Sequence, residues 1–123
     1  MTATAPAPPA EPDVPVFDQA GMLSRLLDDE ELAQSVADSF LEDMPRRIAV
    51  MKTMLAAGDI TGAQREAHTI KGASASMGAE RMRAVAADME TAAKTGDVRA
   101  VTARVPDLEA RFDELRRAVL KEA

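Results

Sequence analysis

Residues 58–97, GDITGAQREAHTIKGASASMGAERMRAVAADMETAAKTGD, contain the turn signals that decide the fold. Gly58-Asp59 and Gly96-Asp97 each pair a residue that ends helices with a residue that caps the next helix, and Gly78 lies between the two pairs. This spacing predicts two helices, over roughly 59–77 and 79–95, joined by a tight turn. The centre of the chain is therefore predicted to be a helical hairpin.

A further helix is predicted downstream, over about 97–121. It runs through Pro106, which should bend it. Its apolar residues recur at steps of three and four: Val98, Val101, Val105, Leu108, Phe112, Leu115 and Val119. That spacing is typical of a helix packed against antiparallel neighbours.

Upstream of Gly58 the same periodicity predicts a long helix. Asp28, followed three residues later by Glu31, matches a capping box, so the helix is predicted to open at Asp29. It continues through Pro45, where a kink is expected rather than a break. Its apolar positions are Leu32, Val36, Phe40, Met44, Ile48, Met51 and Leu55.

The start of the chain divides into a tail and a short helix. Residues 1–16 hold five of the seven prolines and are predicted to be a disordered Pro/Ala-rich tail, with the folded domain over 17–123. Asp18 is predicted to cap a short helix that carries Leu23, Leu26 and Leu27. The fold class is therefore all-α, an antiparallel up-down-up-down four-helix bundle with a short additional N-terminal helix.

Composition excludes several classes of function. The chain has 123 residues, a net charge of −6 and no Cys. Disulfides and thiolate metal sites are thus excluded, and nucleic acid and membrane surfaces are not expected as partners. No apolar run of about 18 residues and no signal pattern is present, which predicts a cytoplasmic protein.

The only histidine, His68, is predicted to point outward from the third helix. The core face of that helix is formed by Ala63, Ala67, Ile70, Ser74 and Met77, and His68 lies on nearly the opposite side. Its neighbours one turn away are Gln64, Lys71 and Gly72, with Ala75 a turn further. Gly72 and Ala75 leave space for another molecule beside the imidazole, and Lys71 lies within reach of an anion formed there.

Glu90 is predicted to lie opposite His68. In a hairpin that turns at Gly78, residues 68 and 90 are level with each other. A carboxylate that accepts the Nδ1 proton would leave Nε2 as the free nucleophile. Glu90 has alternatives, since it can face water or pair with Arg83, Arg99 or Lys94.

The run Ala67-His68-Thr69-Ile70-Lys71-Gly72, followed by Gly78-Ala79, resembles the signature of histidine-containing phosphotransfer domains. These domains are the four-helix intermediates of multistep two-component phosphorelays. The resemblance covers residues 17–121 and departs only conservatively, with Ile70 where leucine is frequent. It implies that His68 is phosphorylated, that Lys71 stabilises the phosphoryl group, and that Gly72 admits the partner.

The resemblance also implies the function and the partners. His68 would accept a phosphoryl group from a receiver-domain aspartate and pass it to another response-regulator aspartate. Partners would be receiver domains of response regulators or of hybrid histidine kinases, with Mg²⁺ supplied by the receiver. The chain has no glycine-rich nucleotide loop and no second histidine, so a monomeric carrier without kinase activity or cofactor is expected.

Two other functions are compatible with a helical bundle. A helical adaptor or dimerisation module would tolerate replacement of His68. A kinase dimerisation domain that carries phosphohistidine requires a nucleotide-binding domain and a proline soon after the histidine motif, and the sequence contains neither feature.

Overall fold

Five helices and no strand make up residues 14–121, the part of the chain that this computed structural model describes. The helices are α1 (Gln19–Arg25), α2 (Glu30–Ala56), α3 (Ile60–Met77), α4 (Glu80–Lys94) and α5 (Val98–Leu120). α2 packs against α3, α3 against α4, α4 against α5, and α5 returns to α2, while α1 lies across α2 and α3. The predicted all-α bundle with a short N-terminal helix is confirmed.

The Gly-Asp turns before α3 and α5 are formed as predicted. Gly58 and Gly96 adopt left-handed φ angles of +76° and +77°. Asp59 accepts the N–H of Gly62 at 2.9 Å, and Asp97 caps α5 in the same way at 3.0 Å. Because these signals act within a few residues, the starts of α3 and α5 follow from local sequence.

Gly78, in the turn between α3 and α4, satisfies two demands at once. Its φ is +82°, and a Cβ atom there would lie 2.6 Å from the backbone oxygen of Asp18. The Asp18 N–H also donates to the Gly78 carbonyl at 2.8 Å. Arg25 also donates a hydrogen bond to the Ser76 carbonyl. These contacts hold the segment around α1 against the turn between α3 and α4.

Packing begins slightly earlier than the predicted domain boundary at Phe17. The Val14 carbonyl accepts a hydrogen bond from Arg81 Nε at 2.8 Å, and Val16 packs against the core. The rest of the predicted disordered tail, residues 1–13, lies outside the described residues.

The connection between α1 and α2 corrects two predictions. Asp29, not Asp28, caps α2, and its carboxylate accepts the N–H of Leu32 at 3.0 Å. Asp28 has a φ of +61° and lies before the helix. Leu27 is also left-handed, is 90% exposed, and follows the end of α1 at Arg25. Because the chain turns through two left-handed residues here, the predicted capping box at Asp28 is wrong. The short helix ends at Arg25 and does not carry Leu26 and Leu27 as predicted.

The buried core follows the predicted apolar stripes, except at the ends of helices and at Phe112 in the middle of α5, which is only partly buried. In α2 the buried members are Phe40, Met44, Ile48, Met51 and Leu55, and in α5 they are Val101, Val105, Leu108 and Leu115. Leu32 is 45% exposed. Since α2 has 27 residues and α3 only 18, the start of α2 extends beyond its partner.

The two long helices, α2 and α5, both continue through their prolines. None of the helices within residues 14–121 combines the length and apolarity that crossing a membrane requires.

One buried polar group in the core gives a stability prediction. Ser74 is fully buried, and its hydroxyl has no hydrogen-bond partner among the described residues. We expect Ser74→Ala to raise the free energy of unfolding by about 1 kcal/mol, because the unsatisfied hydroxyl no longer has to be desolvated. Urea denaturation followed by circular dichroism measures this change. Ser76→Ala is the matched control, since Ser76 is exposed on the same helix and should gain only the smaller helix-propensity difference. A less stable Ser74→Ala variant would contradict the assignment of an unpaired hydroxyl.

Candidate functional site

His68 projects from the outer face of α3. Its side chain is 68% exposed, whereas Ala67 and Ile70 beside it are fully buried in the core. This placement follows from the 3.6-residue period, because the core stripe of α3 holds the helix in one rotational setting. The imidazole is therefore open to a molecule that approaches α3 from solvent.

Glu90, on α4, holds the inner nitrogen of that imidazole. Its Oε2 lies 2.9 Å from His68 Nδ1, and its side chain is only 8% exposed. An ionised carboxylate can only accept hydrogen bonds, so Nδ1 carries the proton and donates it. In the neutral imidazole the other ring nitrogen, Nε2, then has the free lone pair.

Lys71 pairs with the second oxygen of the same carboxylate. Lys71 Nζ lies 2.7 Å from Glu90 Oε1, and Lys94 Nζ lies 3.9 Å from Oε2. The hydrogen bond from Lys71 lowers the pKa of Glu90, burial opposes this by raising it, and the hydrogen bond from His68 lowers it further. Glu90 is thus a buried carboxylate held in its ionised form by its neighbours.

The Lys71–Glu90 pair was not predicted from sequence. Of the alternative partners of Glu90, Lys94 lies 3.9 Å from its Oε2, and Arg83 instead binds Glu80 at 2.8 Å. One feature of the sequence does point to this pair: Lys71 is one turn from His68, on the side of α3 that faces α4. His68, Glu90 and Lys71 are therefore brought together as one connected group.

The lowered pKa of Glu90 predicts a pH-dependent stability. A carboxyl group whose folded pKa is depressed stabilises the fold above its ordinary pKa of about 4.3, and this contribution is lost as pH falls through the folded value. We expect the stability advantage of wild type over Glu90→Gln to shrink as the pH falls below about 4.3. Urea denaturation at a series of pH values measures it. An advantage that grows toward acid pH would contradict the ionised, paired carboxylate.

Two different surfaces flank His68 along α3. Toward the end of α3, Gly72 is exposed, and a Cβ atom there would meet no heavy atom within 4 Å. Ala75, a turn further, is half-buried and adds only a methyl group. Toward the start of α3 lies a shallow depression of about 360 Å³. It is lined by Gln64, Arg65, His68, Thr69 and Glu90.

Within residues 14–121, no three histidine or acidic side chains converge in a way that could hold a metal ion.

Comparisons with known proteins agree with this geometry. The family model described as Hpt domain matches residues 35–118. The crystal structure of histidine-containing phosphotransfer protein B (HptB) from Pseudomonas aeruginosa PAO1 is similar, with a TM-score of 0.81 and 25% sequence identity. That match covers 89% of this chain and 96% of HptB. No curated protein matches the sequence. An exposed imidazole on a helical hairpin, in a bundle that matches this family over most of its length, leads to one conclusion: the chain belongs to the Hpt domain family, and its role is histidine phosphotransfer in a phosphorelay.

Proposed function

We propose that Nε2 of His68 accepts a phosphoryl group from the aspartate of one receiver domain and passes it, reversibly, to the aspartate of another. The observation that carries this proposal is the pairing of an exposed imidazole with a buried, ionised Glu90. The carboxylate fixes the proton on Nδ1, so the nitrogen that faces solvent is the nucleophile.

The transfer needs little from the carrier besides position and charge. Nε2 attacks the phosphorus of the aspartyl phosphate, the N–P bond forms, and the P–O bond to the aspartate breaks with its electron pair on the departing carboxylate. Nδ1 keeps its proton, so the phosphorylated ring is cationic. The hydrogen bond from Nδ1 to Glu90 Oε2 stabilises that cation. In the next step a second receiver carboxylate attacks, the N–P bond breaks, and its electrons return to Nε2.

Lys71 is proposed to stabilise the phosphoryl group. An ammonium group has three N–H donors, and the contact with Glu90 Oε1 at 2.7 Å uses one of them. The remaining donors are available to the phosphoryl oxygens, one helical turn from His68. Glu90 would then hold both the nucleophile and the cation in place, which makes it a positioning residue.

The receiver is proposed to dock over Gln64, Gly72 and Ala75. The open space at Gly72 supports this, because loops around a receiver aspartate must bring phosphorus within bonding reach of Nε2. We expect the Mg²⁺ that neutralises the phosphoryl charge to be carried by the receiver. The chain would then act as a carrier without kinase activity of its own, and we expect it to act as a monomer.

The test is transfer from a panel of receiver domains, each phosphorylated with acetyl phosphate, to the full chain. We expect at least one receiver to lose its phosphoryl group while the chain gains a label that is stable in base and labile in acid. A folded chain that gains no label from any receiver would favour the helical adaptor instead.

A further inference from the structure

Arg65 stands apart from the other basic side chains of α3. It is exposed and lines the depression beside His68, yet its side chain makes no hydrogen bond or ion pair with any of the residues that the structure describes. The nearby Arg47, in contrast, forms ion pairs with Asp43 and Glu66. A free guanidinium beside a nucleophilic nitrogen is an unused anion-binding group.

Helix geometry directs the imidazole toward this depression. Side chains on an α-helix lean toward its N-terminus, so His68 covers the turn that contains Gln64 and Arg65 rather than the turn that contains Gly72. Arg65 is three residues before His68 and therefore a direct neighbour on the helix surface. A group attached to Nε2 would enter the depression that Arg65 lines.

Among the described residues around the site, Arg65 is the cation that no carboxylate holds. Lys71 and Lys94 both lie against Glu90, which offsets part of their charge. The adjacent carboxylate of Glu66 is held by Arg47 at 3.3 Å and does not compete for Arg65. In a chain of net charge −6, a dianionic phosphoryl group gains most from a local cation without a carboxylate partner.

We propose that Arg65 is a further phosphoryl-binding residue, whose guanidinium donates hydrogen bonds to the phosphoryl oxygens carried on Nε2 of His68. The inference rests on the proposed function and adds to it the group that holds the phosphoryl oxygens in the depression. The planar guanidinium suits this task, because it can donate two parallel N–H bonds to two oxygens.

The test labels the full chain with phosphoramidate, which phosphorylates histidine without a receiver. Because His68 is the only histidine, a single phosphohistidine signal results. The pH titration of that signal by ³¹P NMR reports the charge around the phosphoryl group. We expect Arg65→Ala to raise the midpoint of the phosphoryl titration by roughly half a pH unit, because a nearby cation favours the dianion. Arg65→Lys keeps the positive charge, so its titration midpoint should lie between those of wild type and Arg65→Ala.

Arg99→Ala is the matched control. Arg99 is exposed on α5 and does not line the depression. Its replacement by alanine removes the same unit of charge, so the ³¹P titration of this variant should equal that of wild type. With a phosphorylated receiver, Arg65→Ala should also transfer roughly 10-fold more slowly, a modest loss for removing one exposed donor.

Three results would overturn the inference. Equal titrations for Arg65→Ala and Arg99→Ala would show that Arg65 does not touch the phosphoryl group. Slower transfer with an unchanged titration would assign Arg65 to the receiver contact instead. A chain that phosphoramidate cannot label would exclude a free Nε2 altogether. Failure of the proposed function looks different, since wild type would then accept label from phosphoramidate but from no receiver.

Discussion

His68→Gln is expected to abolish phosphoryl transfer while leaving the fold intact. The glutamine amide can still donate a hydrogen bond to Glu90 Oε2, which would replace the contact of 2.9 Å made by His68 Nδ1. An amide nitrogen has no free lone pair comparable to Nε2, so no N–P bond can form. Because the side chain at this position is 68% exposed, the free energy of unfolding should change by no more than about 0.5 kcal/mol.

Two measurements on the same sample check this prediction. Transfer from a phosphorylated receiver should be undetectable, and urea denaturation should superimpose on that of wild type. Thr61→Gln, at an exposed position two turns earlier on α3, is the control and should transfer normally. Label on a folded His68→Gln variant would move the phosphorylation site to another residue. A variant that unfolds would show that the imidazole is structural.

The helix boundaries that were predictable are those with short-range causes. Asp59 and Asp97 cap the helices that begin one residue later, and each follows a left-handed glycine. The boundary before α2 was not predictable in the same way. Two adjacent aspartates, Asp28 and Asp29, are both competent caps, and the local pattern does not decide between them. The hydrogen bond from Arg25 to the Ser76 carbonyl, which joins the end of α1 to α3, is likewise not revealed by any local pattern.

The candidate site also has features that the sequence predicts and features that it does not. The outward direction of His68 and its level with Glu90 follow from helical periods and from the turn at Gly78. The burial of Glu90 depends on the rotation of α4, which its stripe of Met82, Val85, Ala86, Met89 and Ala93 determines. The contact from Lys71 requires one particular setting of a flexible side chain, and helical spacing alone does not specify it.

Gly72→Leu is expected to slow transfer from a receiver by about 100-fold or more, because displacing reacting groups by about 1 Å already costs that much. Gly72 is exposed, and a Cβ atom there meets nothing within 4 Å, so the helix has room for a side chain to begin at this position. Its side chain would lean toward the N-terminus of α3, over the turn that holds His68, and keep the receiver away. Replacing a helical glycine should also raise the free energy of unfolding by about 0.5–1 kcal/mol.

Receiver kinetics, phosphoramidate labelling and urea denaturation together isolate the steric cause. A small donor needs no docking surface, so phosphoramidate should still label Gly72→Leu at His68. Gly72→Ala should gain similar stability and keep most of its transfer, since a methyl group adds little bulk. Thr102→Leu places the same side chain on an exposed part of α5 and should transfer normally. If Gly72→Leu exchanges phosphoryl groups with receivers at the wild-type rate, the open surface beside His68 is not where the partner approaches, and the glycine has no role in admitting it.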